Sequence, residues 1–160
     1  MSTPEPIPTS VGPHSTVQHC ITWQAAHAAA GAAAVHAAEI GASVNVALVD
    51  AAGVLAAFVR MPGAALHSVD IAIDKAYTAA SFGLATSQWR AVLAEHSSAV
   101  REGLVLRPRF VAFGGGLPIV EGGARIGAIG VSGGSEAQDE AIARAGLRAL
   151  GLEALEPSTE

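Results

Sequence analysis

Residues 113–134 read FGGGLPIVEGGARIGAIGVSGG and hold nine of the 18 glycines in this chain of 160 residues. Two short apolar runs, 117–121 and 125–132, flank the turn Glu121-Gly122-Gly123-Ala124. That order predicts a β-hairpin. Glycine carries no Cβ, so strands laced with it let another group come close to their backbone. The hairpin is therefore expected to form the wall of a site, although the pattern does not say what binds there.

The rest of the chain supplies partners for such a hairpin. Prolines at 4, 6, 8 and 13 among small polar residues mark 1–20 as a flexible arm. Thr22 can cap a helix running to about Glu39, which Gly41 is placed to end. Residues 43–50 (SVNVALVD) and 54–61 read as strands joined by the turn Asp50-Ala51-Ala52-Gly53. Helical spacing resumes near His67, breaks at Gly83, and returns over 87–101. A strand at 110–113 then precedes the glycine hairpin. Ser135 and Gln138 match a capping box opening a last helix to about Leu150, stopped by Gly151. One domain over 21–152, with a tail at 153–160, is the expected organisation. Helix, two strands, two helices, three strands and helix predict an α+β fold.

Charged residues make up 14% of the chain and mean hydropathy is +0.42. Ordinary soluble proteins carry roughly 25% charge, so the deficit points to a homo-oligomer that hides apolar faces between subunits. A monomer merely rich in alanine is the plainer alternative. Net charge is −5, and no lysine or arginine precedes Arg60, which argues against nucleic acid as a partner. The alanine-rich stretch 25–38 is interrupted by His27 and His36 and is no membrane span. Cys20 is the single cysteine, so no intramolecular disulfide forms. With neither a basic leader nor an early apolar run, a cytoplasmic location is expected.

Lys75 is the most informative single residue. On a helix it shares a stripe with Ala72, Ala79 and Phe82, so its amine must snorkel, pair with a carboxylate, or face a cavity. Asp50, Asp70, Asp74 and Glu121 are candidate partners. A site lysine would bind a carboxylate ligand or move a proton. His67, Asp70 and Asp74 fall near one helix face and could hold a divalent metal, or let Asp70 orient His67 as a base; acidic residues in a first turn also follow from the helix dipole alone. His27 lies one turn from Trp23, whereas His36 sits on another side of the same helix. Arg60, Arg107 and Arg109 could clamp carboxylates or simply close strand ends with ion pairs. Gly114, Gly115 and Gly116 do not form a Walker loop, and Ser132 in VSGG is no nucleophile elbow.

Several of these segments resemble the GlcG/HbpS family, which includes the C-terminal domain of PduO. The likeness rests on Val49-Asp50-Ala51-Ala52-Gly53, Phe58-Val59-Arg60-Met61 and the run from Asp70 to Ala79 (DIAIDKAYTA). It continues through Phe113-Gly114-Gly115-Gly116-Leu117-Pro118-Ile119, the run IGAIGVSGG from Ile126, and Gln138-Asp139. The resemblance implies a profilin-like sheet of about five antiparallel strands flanked by helices, assembling into dimers or up to octamers. It also implies binding of haem or a related tetrapyrrole, with haem degradation in some members. His27 is the candidate iron ligand.

Two functions follow as expectations. The first is an oligomeric binding protein for haem or another flat carboxylate-bearing ligand. Gly114, Gly115, Gly116 and Ser132 would line that ligand, and Arg60 and Lys75 would pair with its carboxylates. The second is a cofactor-free enzyme moving a proton on a small oxygenated acid or carbonyl compound through Lys75, His67 and Asp70. Aromatic residues are only 4% of the chain, so Trp23, Phe82, Trp89 and Phe113 are the few rings available to stack on a planar ligand.

Overall fold

A computed structural model describes residues 12–155; the rest of the expected arm, 1–11, and of the tail, 156–160, lies outside the described residues. Residues 12–20 have no regular structure. The first helix, α1 (Trp23–Glu39), begins as expected, with the Thr22 hydroxyl accepting from the Ala25 N–H. Strands β1 (Asn45–Asp50) and β2 (Leu55–Arg60) form an antiparallel hairpin. Its turn is closed by the Asp50 carboxylate, which accepts from the N–H groups of Ala52 and Val54. Such a carboxylate does locally what a backbone turn bond would otherwise do.

Helix α2 (Ser68–Phe82) follows and ends at Gly83, whose φ of 70° is the left-handed cap that glycine takes without strain. The single helix expected over 87–101 is instead a 3₁₀ turn and two short helices, α3 (Trp89–Ala94) and α4 (Ser98–Leu104). Ser97 accounts for the break: its hydroxyl accepts from the Val100 N–H and starts a new helix there. Strands β3 (Gly116–Glu121) and β4 (Ala124–Ser132) make the glycine hairpin, and α5 (Glu136–Ala149) closes the fold. Ser135 and Gln138 form the expected capping box.

Among the described residues the sheet has four strands in the order β2-β1-β4-β3, all antiparallel, with five helices around it. The α+β expectation holds at that level, but the count of about five strands does not. Residues 110–113 are not a strand: the Val111 N–H donates to the hydroxyl of Thr78 on α2 rather than to a neighbouring strand. A segment whose amide is taken by a helix side chain has no ladder to join.

Period-two alternation sorts the sheet into two unlike faces. Val46, Leu48, Leu117, Ile129 and Val131 pack with alanines of α1 and with Ile142 and Leu147 of α5. On the other face Ala47, Val49 and Ala128 meet Ala72, Ala76 and Ala79 of α2. Small residues on both sides let α2 lie close on the sheet. Gly130 is the extreme case, since a Cβ there would run into the Ala72 carbonyl oxygen and the Ala76 amide nitrogen. Part of the glycine in this hairpin thus admits a helix of the same chain, not a ligand.

Candidate functional site

Lys75 is 1% exposed and leaves α2 toward the sheet. Its Nζ donates to the Val131 carbonyl and to Asp139 Oδ2, both at 2.8 Å, and stands 4.9 Å from the centre of the Phe113 ring. Asp139 is 3% exposed in the first turn of α5, and its other oxygen accepts from the Gly134 N–H at 2.9 Å. None of Asp50, Asp70, Asp74 or Glu121 is the lysine's partner. Asp139 shares a stripe with Ile142, Ala143 and Gly146, all buried. A carboxylate on an apolar stripe is the sign that singled out Lys75, and applied to α5 it finds the partner. Burial pushes the Lys75 pKa below its ordinary 10.5, while the hydrogen bond and charge of Asp139, and the charge of Glu136, pull it back up.

The expected glycine wall is filled along most of its length. Gly115 has a φ of 119°, and a Cβ there would stand 2.6 Å from the Val131 oxygen, 2.8 Å from Lys75 Nζ and 2.9 Å from Asp139 Cβ. At Gly116 it would meet the Lys75 carbonyl oxygen and Thr86 Cγ2, both at 2.6 Å. The Gly114 N–H donates to Glu136 Oε2. Gly115 and Gly116, expected to line a ligand, face the chain's own α2, α5 and Thr86, whereas Gly114 lines a cavity of about 400 Å³ against α5. Ser132 is 5% exposed at the end of β4. Strand register sets it in one cross-strand row with Asn45 and Arg60.

The outer side of α2 is different. His67, Asp70 and Asp74 line a cavity of about 730 Å³ whose remaining walls are Leu66, Val69, Ile71 and Val111. His67 precedes the first residue of α2, is exposed, and its side chain makes no hydrogen bond among the described residues. His67 and Asp70 are thus brought to one cavity, while Lys75 is sent to the buried face. Asp74 accepts from Arg109 Nε at 2.9 Å. With that carboxylate engaged, the trio is no metal cluster, and among the described residues no three His, Cys, Asp or Glu side chains gather as one. Arg60 is not among the residues lining this cavity; its Nη2 donates to the Ala64 carbonyl at 2.8 Å, in the loop leading to Leu66. His27 stands apart, exposed on α1 one turn from Trp23, itself 70% exposed.

A family model described as haem degrading protein HbpS-like matches residues 21–148. The chain belongs to this HbpS-like family. A 15.0 kDa protein of the dhaT-dhaS intergenic region of Citrobacter freundii is 38% identical over 127 residues, covering 79% of this chain and 89% of that one. The corrinoid adenosyltransferase PduO of the same organism is 34% identical over 82% of this chain, which spans only 39% of PduO. Among solved structures, the crystal structure of a PduOC–haem complex superposes with a TM-score of 0.78 at 31% identity, covering 86% of this chain and 99% of that one. The HbpS-like core therefore runs from just before α1 almost to the end of α5, and includes every candidate site residue named above. No helix among the described residues is long and apolar enough to cross a membrane.

Proposed function

We infer that this HbpS-like chain is an oligomeric binding protein for haem or a related flat, carboxylate-bearing ligand. The observation that carries this reading is the likeness to PduOC, a relative crystallised with haem, across 86% of the chain. The cavity outside α2 supports it. Four apolar side chains line that space, and one exposed imidazole stands at its edge. Imidazole is an ordinary ligand to haem iron, so this donor set fits the group. Leu66, Val69, Ile71 and Val111 would take the apolar faces of the ring. Arg60, held by the Ala64 carbonyl two residues before Leu66, would meet a carboxylate. Haem bound there would supply the redox and oxygen chemistry of its iron; the chain binds, orients and shields it.

Two histidines compete as iron ligand in this reading: His27, one turn from Trp23 on α1, and His67, at the cavity. Titration of the protein with hemin, followed by visible absorption, tests the binding and separates the two. The Soret band is expected to shift on binding, and the ligating histidine is the one whose replacement by alanine removes the ligated spectrum. Absence of any shift would sink the haem reading, and a shift indifferent to both replacements would sink histidine ligation.

Assembly is the second half of the proposal. Trp23, Leu66 and Leu106 are 70%, 79% and 82% exposed in the single chain. Isolated apolar residues are common on surfaces, but three of this size on a chain with little charge favour subunit contacts. Sedimentation is expected to give a multiple of 16.0 kDa, from dimer to octamer. A monomer at all concentrations would contradict it.

A further inference from the structure

Beyond Asp74, the outer face of α2 carries a second and smaller cavity, of about 230 Å³. The loop after α4 folds back over it. Tyr77 and Phe82 of α2 form one side, and Leu104, Pro108 and Phe110 form the other. Thr78, Ser81 and two guanidinium groups, Arg107 and Arg109, complete the lining, which contains no carboxylate. With Arg109 already paired to Asp74, an apolar slot that keeps Arg107 uncompensated at its rim selects a ligand of opposite charge with an apolar body.

The arginines are held unequally. Arg109 has a φ of 66°, the single positive value among the described residues other than glycine. An L-residue there is strained and stays only where its surroundings hold it. Three contacts hold it here: Nε donates to Asp74 Oδ1, the guanidinium lies 3.6 Å from the centre of the Tyr77 ring, and the carbonyl accepts from Thr78 Oγ1. Arg107 is exposed and has no ion-pair partner among the described residues. One cation is thus fixed in place and the other is available to close on a ligand.

The apolar side is built from rings. Phe82, Trp89 and Phe110 meet edge to face, with centroids 4.7, 4.8 and 6.0 Å apart. Trp89 is 4% exposed behind them, whereas Phe82 is 47% exposed and offers its surface to the cavity. Such an arrangement rewards an aromatic ring by further edge or offset stacking. We propose that this slot is a binding site for small carboxylates bearing one aromatic ring, separate from the haem cavity and too small for a tetrapyrrole.

Benzoate is the probe. With exposed Trp23 replaced by Phe, the remaining emission comes from Trp89, and calorimetry gives an independent isotherm. Saturable binding of one benzoate per chain is expected, with benzyl alcohol, the neutral analogue, weaker by about tenfold or more. Arg107→Ala should weaken benzoate by a similar factor while leaving the circular dichroism and the hemin titration unchanged, and Arg107→Lys should restore part of it. His67→Ala should leave benzoate binding intact. The proposal is overturned by no saturation at about 10 mM benzoate, by equal binding of benzyl alcohol, or by indifference to Arg107→Ala. Competition between benzoate and hemin would also overturn it as a separate site, without touching the haem reading itself.

Discussion

Lys75 on α2 and Asp139 on α5 meet at 2.8 Å although 64 residues separate them, and each is almost wholly withdrawn from water. The Val131 carbonyl and the Gly134 amide of the intervening segment complete their hydrogen bonding. The pair therefore ties the helix on one face of the sheet to the start of the helix on the other, at the end of β4. A buried ion pair need not add net stability, but a buried charge left alone is costly.

Lys75→Met should accordingly destabilise the protein by about 3–5 kcal/mol, and Asp139→Leu by a similar amount, because each strands the other charge. The double variant should recover most of that loss. Urea unfolding of the two single variants, the double and the parent closes the cycle. Additive losses would show that the two residues act independently.

The same pair gives a pH dependence of definite sign. Burial lowers the Lys75 pKa in the folded chain below 10.5, so between the lowered value and 10.5 the unfolded chain binds more protons than the folded one. Stability contributed by this residue should therefore rise with pH through that window and level off above it. The difference in unfolding free energy between the parent and the Lys75→Met/Asp139→Leu double, followed from neutral pH upward, isolates the effect from other lysine-independent changes. A difference that falls as pH rises would refute the assignment.

Gly115 and Gly122 both take a positive φ, yet their substitution should cost very different amounts. At Gly115 an alanine would combine backbone strain with three contacts under 3.0 Å, to the Val131 oxygen, Lys75 Nζ and Asp139 Cβ. We expect Gly115→Ala to cost about 3–5 kcal/mol. Gly122, in the β3–β4 turn, has a φ of 56° and open space around it, so Gly122→Ala should cost about 1–2 kcal/mol. Thermal denaturation of both variants compares them directly, and similar losses would show that φ alone decides.

Gly115 also shows where sequence reasoning reaches its limit. The β3–β4 hairpin, the β1–β2 hairpin and the caps at Thr22 and Ser135 were legible, because turn chemistry and capping act within a few residues. The reason for the glycines was not. A ligand and a helix of the same chain demand the same missing Cβ, and which of them comes depends on packing across the sheet. For the same reason Lys75 announced that it needed a partner but not which one, since Asp139 is brought in only when α2 and α5 dock on the two faces of the sheet. The apolar run at 110–113 read as a strand because alternation carries no record of where each N–H donates. Conversely, His67 and Asp70 came together as their spacing suggested, since one helix start places both.

Thr78 offers the sharpest check on the wall between the two outer cavities. It is 1% exposed, and its hydroxyl donates to the Arg109 carbonyl while accepting from the Val111 N–H. Arg109 lines the smaller cavity and Val111 the larger. Valine has nearly the same shape but can neither donate nor accept, so Thr78→Val would leave a buried amide and a carbonyl unpaired. The expected loss is about 1–3 kcal/mol. Because the strained φ of Arg109 persists only while its contacts hold, the loop around it should loosen first. Hydrogen exchange at the Val111 amide should therefore accelerate by more than the global loss of stability requires, while amides of β1 and β4 track that global loss. Uniform acceleration across all of them would mean that Thr78 supports the whole core and not this loop.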